Sequence, residues 1–492
     1  MINKPPRAKA RGILLRTVTA SPCHLCFASS PRQDAGYSLS CNKFLSYKSF
    51  ILFSTLFFLF ISLVLYMNLK LSYISSDGIG YYAYLPATFI THDLSFKTYV
   101  DNEARNREDN LPVVKECEKE QPLCNEYIGF KPQKNGNWYN KYPVGVAMLL
   151  SPFFVVSDLY VQLSGGIRDG YSLPYQLSVV VAAIFYAQVG LAFAYLVFRR
   201  RFSKTISMLL LLILLLGTNA IHYIVYEPAM SHIYSFAFIS ATVFLLDTYL
   251  LKPNPKLLIL MGITISLIIA IRNLNGIFAI ASLVLIIKNT PSNIRLKSFL
   301  RICMIWGLAL FIILIPQFIY WKISLGQFVV YSYGQESFIY LSNPQILKVL
   351  FDIQSNGVLI WHPILALTMI GNYFIIKSKD SLKPLPILLL ILLYLYSSWW
   401  AYPFGYAFGY RPFMDYYIIF FIPIGYLFKY ISTAYKTKRI IFIIIISLLV
   451  ILNLIHLRNY WGGIVSSYNL TNDSFWNNFA NPNIDIILKK LF

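Results

Sequence analysis

YPVGVAMLLSPFFVVSDLYVQL, residues 142–163, decides how this chain is threaded. The stretch is apolar and long enough to cross a bilayer. It also carries Pro143, Pro152 and Asp158. If it crossed, the RRRFSK cluster (199–204) would face outward and every later loop would invert with it. If it lies along the outer surface, five basic clusters fall on one side: RRRFSK, KPNPK (252–256), KNTPSNIRLK (288–297), KSKDSLK (377–383) and KYISTAYKTKR (429–439). Basic residues gather in cytoplasmic loops. The clusters therefore favour an interfacial helix over 142–163.

Composition points the same way. The chain has 492 residues, of which 57% are hydrophobic and 13% charged. Soluble domains carry about 25% charged residues. Apolar runs of membrane length recur throughout, so the expected class is an all-α polytopic membrane protein. Eleven spans are expected, near 48–70, 175–198, 205–224, 232–251, 256–271, 274–288, 302–321, 357–376, 384–399, 413–430 and 438–456. The run 256–288 is read as two passes. One helix would be about 48 Å long against a core of about 30 Å. It would also place Arg272 at mid-depth, at a cost of about 3 kcal/mol. The net charge of +21 does not signal nucleic acid, because the Lys and Arg sit in short clusters between apolar runs.

Three regions follow. Residues 1–45 read as a cytosolic tail without a fold of its own, or as an overextended start. Their lone CxxC, Cys23 and Cys26, is too weak a pattern for a metal or redox site. Residues 46–456 form the membrane domain, with a long first outer loop (71–141), and 457–492 form a short outer-face tail. In the first outer loop Cys117 and Cys124 stand as a disulfide or as two free thiols. No P-loop, GxSxG or HExxH is present, and no internal repeat of the kind that builds inverted-repeat transporters.

With this threading the informative residues share the outer face. Asp77 stands in SSDGIGYYAYLPATFI (75–90), just beyond the first span. It is either a general base or, with Ser75 and Ser76, the cap of the helix that follows. Glu227 and His232 lie in YEPAMSH (226–232), where interfacial polarity alone would also place them. Arg272 and Arg411 are cations in apolar surroundings. Guanidinium forks suit phosphate oxygens, although a lipid headgroup contact would serve Arg411 equally. Tyr81, Tyr82, Trp399 and Trp400 offer apolar faces to a sugar ring. Carboxylates, cations and aromatics on one face, at the lipid edge, suit a lipid-linked phosphate donor and a hydroxyl acceptor.

These stretches resemble the C-type (GT-C) integral membrane glycosyltransferases, the class of the protein O-mannosyltransferases and the aminoarabinose transferases. The matching stretches are SSDGIGYYAYLP after the first span, GNWYNKYPVGVAMLLSPFF (136–154), EPAMSH, IRNLNG, SNGVLIWHP (355–363) and SSWWAYPFGYAFGYRPFMD (397–415). Together they cover about 46–430. The resemblance implies an inverting transfer of a sugar from a polyprenyl-phosphate carrier to an envelope glycan, lipid or protein, on the outer face of a bacterial inner membrane. It implies Asp77 as the base and Lys141 near the donor phosphate. The family often has a second acidic residue beside the first. Here Gly78 follows Asp77, so Glu227 supplies that charge or nothing does. A divalent metal is left open for the same reason. The competing expectations are a transporter or flippase for a lipid-linked glycan, an envelope polysaccharide ligase or polymerase, and a purely structural role.

Overall fold

The structure, a computed structural model, describes residues 42–69, 71–99, 129–133, 136–405, 407–465 and 470–481. Cys117, Cys124 and nearly all of the expected N-terminal tail lie outside them. Residues 1–50 and Ile51–Phe492 form two compact units. The described part of the first, 42–50, is the opening of the Asn42–Leu69 helix. All that follows concerns the second.

The chain is an all-α membrane protein, 71% helical. One small exception sits in the first outer loop. There Phe130–Pro132 and Trp138–Asn140 pair as an antiparallel hairpin, with Phe130 opposite Asn140. Among the described residues, 7 helices are long and apolar enough to cross a membrane. Six of them coincide with expected spans, and the seventh is Gly145–Leu163. The other expected spans appear as shorter helices: Lys204–Leu216, Pro255–Ile271, Gly276–Lys288, Leu367–Ile376 and Ile387–Ser398. Expected span 205–224 breaks at Gly217–Asn219 and resumes as Ala220–Val225. The turn at Arg272–Asn275 does separate two helices, as expected for 256–288.

The helix Gly145–Leu163 occupies the stretch expected as an interfacial helix over 142–163, and it is long and apolar enough to cross a membrane. It stands beside Leu173–Arg199 as an antiparallel hairpin. Tyr186 donates to the Leu149 carbonyl (3.1 Å), and Tyr175 donates to Asp158 (2.7 Å). Its first turn abuts the end of Pro255–Ile271, where a Cβ on Gly145 would lie 2.3 Å from the Ala270 carbonyl carbon. It therefore covers only the Tyr175–Tyr186 half of its neighbour and stops well short of Arg199. The two features that argued against a regular helix here are satisfied locally. Pro152 cannot donate to the Met148 carbonyl, and the Ser151 hydroxyl does so instead at 2.8 Å. Asp158 is held by Arg168 (2.8 Å), Gln162 (2.8 Å) and Tyr175.

The bundle has two chemically distinct ends. At the basic end, Arg200 and Arg201 meet Asp247, and Arg201 also meets Asp380. The other end gathers the turns that begin or close the helices at Ser76, Glu227–Ser231, Arg272–Asn275 and Arg411–Tyr416. The segments flagged in the sequence lie there.

Candidate functional site

Asp77 is the first residue of the short helix Asp77–Tyr82, and Ser76 before it makes no side-chain cap. The cap reading thus falls, because the Asp77 carboxylate is used elsewhere. One oxygen accepts from the Tyr142 hydroxyl (2.8 Å) and the other from Arg411 Nη2 (2.7 Å). Two glycines let this helix approach its neighbours. A Cβ on Gly78 would stand 2.6 Å from Ala229, and one on Gly80 would stand 2.1 Å from the Tyr142 ring. Asp77 is the open member of the ion pair: its side chain is 31% exposed, against 13% for Arg411. Burial alone would raise its carboxyl, but the Arg411 charge and the Tyr142 hydrogen bond hold it below the usual aspartate range. Tyr142 is pushed well above the usual phenol range, by burial and then by the Asp77 charge, so it stays a donor.

Glu227 reaches Asp77 through its neighbour. Ser76 Oγ donates to Glu227 Oε1 (3.3 Å), and His222 Nε2 lies 3.3 Å from Glu227 Oε2. The His222 tautomer follows from its other partner. Trp461 Nε1–H can only donate, and it points at His222 Nδ1 (3.0 Å). Nδ1 is therefore the acceptor, and Nε2–H donates to Glu227. Burial pushes the Glu227 carboxyl up, the His222 hydrogen bond and the nearby positive charge together outweigh it, and the net direction is down. Ser76 itself sits at φ 50, a left-handed conformation a serine rarely adopts, held by this chain of bonds.

A second cluster holds Arg272. His232 Nδ1 is 2.8 Å from Asp415 Oδ1 and 2.9 Å from Arg272 Nη1. A carboxylate only accepts and a guanidinium only donates, so Nδ1 cannot serve both. The proton goes to Asp415, and Arg272 is held by charge to Asp415 Oδ2 (3.8 Å) and by the Nε2 lone pair (3.5 Å). Asn275 donates to Asp415 (3.1 Å) and accepts from Tyr416 (2.8 Å), which fixes the carboxylate.

A third cluster centres on Glu336. It accepts from Lys141 (2.9 Å), Lys131 (3.4 Å) and Trp400 Nε1 (3.3 Å). Tyr81 and Tyr333 lie between the clusters. Tyr81 is within reach of the charges of Arg272, Asp77 and Arg411. Tyr333 is within reach of Arg272, Glu336 and Asp77. Six flagged residues thus share one region: Asp77, Glu227, Lys141, Arg272, Arg411 and His232.

The flagged aromatics divide. Tyr81 packs tilted against Tyr142, with ring centroids 4.7 Å apart, and borders this region. Tyr82 turns away: it is fully buried, donates to the Gly170 carbonyl (2.6 Å) and packs against Phe154 and Tyr171. It is a packing residue and not a lining one. Trp399 packs on Phe338 (4.9 Å), and Trp400 steadies Glu336, so both hold the loop 326–345 in place. Sequence reasoning misses His222, Asp415, Glu336 and Tyr142. Each is a polar side chain beside or inside an apolar run, and that is the signal that could have found them.

The two guanidinium groups are under-used. Arg411 spends one nitrogen on Asp77, and Arg272 spends one on the His232 ring. Among the described residues their other N–H groups have no hydrogen-bond partner, and none of those nitrogens is sealed from the accessible surface. Open guanidinium donors of this kind suit an anionic acceptor. For a divalent metal, no group of three His, Cys, Asp or Glu stands together among the described residues. No protein-family model, no curated protein and no solved structure matches the chain.

Proposed function

We propose that this protein is an inverting membrane glycosyltransferase of the C-type class. It moves a sugar from a polyprenyl-phosphate donor to a hydroxyl of an envelope acceptor. One observation carries the reading: a partly open carboxylate, Asp77, sits between Tyr142 and Arg411 with a second under-used guanidinium, Arg272, in the same region. The motif resemblance supports it. In this reading the basic end faces the cytosol of a bacterium, eleven segments traverse the inner membrane wholly or in part, and the site faces the periplasm.

The chemistry balances on these residues. The acceptor oxygen attacks the anomeric carbon, and the bond from that carbon to the phosphate oxygen breaks. The phosphate leaves with the bonding electrons, and the acceptor proton passes to Asp77. A single displacement inverts the sugar. Phosphate is a good leaving group, so a base as weak as Asp77 suffices. The free N–H groups of Arg272 and Arg411 neutralise the charge that grows on the departing phosphate. Glu227 acts as a positioning residue, through Ser76.

The test compares envelope glycans and polyprenyl-phosphate lipids by mass. The strains are a deletion complemented by wild type and one complemented by Asp77→Asn at equal membrane levels. The expected result is a glycan lacking one sugar while a lipid-linked sugar accumulates. A wild-type profile from Asp77→Asn overturns the reading. So does release of polyprenyl pyrophosphate, which marks a ligase, or lipid movement without a new bond, which marks a flippase.

A further inference from the structure

The loop 326–345 looks like an aqueous outer loop in the sequence, and the structure assigns it a different neighbour. We infer that residues 338–347 lie in the outer leaflet of the membrane, as a lipid-facing wall beside the site. The partner of this surface is the acyl-chain layer.

Helix lengths carry the first step. Ile387–Ser398 has 12 residues, so its rise is about 18 Å. His232 stands about 22 Å above Asp247 on the helix Ser231–Leu251. Tilt only shortens these heights. A hydrocarbon core is about 30 Å thick. With the Arg201–Asp247–Asp380 network at the inner boundary, the Arg272–His232–Asp415 cluster and the end of Ile387–Ser398 lie on the order of 10 Å below the outer boundary.

Main-chain bonds then pin the strip at that depth. Trp400 N–H donates to the Ser337 carbonyl (3.0 Å), Tyr340 N–H to Ser398 (3.0 Å) and Gln345 N–H to Ser397 (2.9 Å). These bonds tie the irregular backbone to the end of Ile387–Ser398. The side chains complete the argument. Leu390, on the outward face of Ile387–Ser398, is 67% exposed, and Tyr394 on the same face donates to the Leu341 carbonyl (2.5 Å). The apolar face continues from there onto Ile339 (59% exposed), Leu341 (48%) and Leu347 (73%). An aqueous loop has no reason to extend the lipid face of a helix with three large aliphatic side chains. Lys348, just past the strip, is placed to snorkel toward the headgroups. The residues just before the strip, Tyr333 and Glu336, lie against the charged clusters of the site. One short segment therefore separates lipid from the charged clusters. The inference uses helix lengths, main-chain bonds, exposed side chains and the basic end at the inner boundary, so it stands apart from the transfer chemistry.

The test places a bimane label at Leu341→Cys, and separately at Ile339→Cys, in a variant without the native cysteines, reconstituted in vesicles. Labels at Leu390→Cys and Gly136→Cys serve as lipid and water references. Acyl-chain bromines are expected to quench the Leu341 and Ile339 labels as strongly as the Leu390 label, with aqueous iodide quenching them several-fold less than the Gly136 label. Quenching of both labels like the Gly136 reference overturns the inference. Wild-type protein gives a check that needs no substitution. A lipid with a diazirine in its acyl chain should crosslink the peptide containing 338–347, and labelling of Leu390 without that peptide also overturns the inference.

Discussion

The two ends of the bundle are built from the same parts and use them differently. At the basic end Arg201 spends all three of its nitrogens. They go to Asp247, Asp380 and the Val197 carbonyl. Asp247 in turn is met by Arg200, Arg201 and Ser381, and Asp380 by Tyr426. At the other end Arg411 and Arg272 each spend one nitrogen and leave the rest open. A saturated cluster of arginines and carboxylates is a lock. An unsaturated one of similar burial is a receptor for an anion. The residue types alone do not distinguish the two; the count of satisfied donors does.

Four predictions sharpen or break that contrast. The largest effect is expected from Asp77→Asn, which should lower the single-turnover transfer rate by about 10²–10⁴-fold, the range of a lost general base. Normal insertion and an unchanged melting profile are expected with it, and a near-wild-type rate would move Asp77 from chemistry to structure. Next, Arg201→Ala should cost about 3–5 kcal/mol of stability, because it leaves the buried Asp380 without its cation and Asp247 with Arg200 alone. Arg411→Ala should cost less stability than that in the same unfolding assay, since Arg411 completes fewer bonds. A larger loss at Arg411 would erase the distinction between lock and receptor.

The third prediction concerns binding. Farnesyl phosphate should bind the Arg411→Ala protein about 10-fold more weakly, the loss of one charge-assisted contact. It should bind Asp77→Asn more tightly than wild type, because the variant removes the negative charge that shares Arg411. Calorimetry reads both signs. Equal affinities across the three proteins would leave the guanidinium groups without an anion. The smallest effect is in pH. Asp77 must be ionised to accept a proton, and its carboxyl is held low by Arg411 and Tyr142 against its burial. Transfer should therefore be flat from neutral pH through the ordinary aspartate range and fall only below it. The Asp77–Arg411 contribution to stability is likewise present above the unfolded carboxyl's titration and lost as pH drops through the lowered one. A loss of transfer above pH 5 would place the titrating group elsewhere.

Much of this is legible in the sequence. A lone charge beside an apolar run is expensive unless it is used, and that marks out Asp77, Glu227, Arg272 and Arg411. Their pairings are not legible. Asp77 and Arg411 are 334 positions apart, and no local pattern joins them. Asp415 stands in RPFMD with no sign of its partners, because nothing there shows that a histidine and an asparagine surround it. The aromatics mislead for a physical reason. A tyrosine at a membrane boundary has the same neighbours in sequence whether it borders the charged clusters, like Tyr81, or packs away from them, like Tyr82. The interfacial reading of 142–163 treats Pro152 and Asp158 as defects. Ser151 and Arg168 repair both, and only the folded chain shows the repair. Helix breaks at Gly217–Asn219 and short helices such as Ile387–Ser398 stay hidden because hydropathy measures apolar length and not helical continuity.

The indole of Trp461 has a consequence for how the molecule is made. It closes the last long helix of the chain, Lys436–Trp461, and through His222 and Glu227 it steadies Ser76 beside Asp77. A ribosome adds about 5–20 residues per second. Between Asp77 and Arg411, 334 positions later, synthesis therefore takes roughly 20–70 s. For that interval Asp77 waits at the membrane without its cation, and its backbone waits longer still for the final helix. The carboxylate is set only once Trp461 has been made, so a nascent chain cannot act early, and a chain that stops short of Trp461 carries the right residues in a loop nothing has yet tightened.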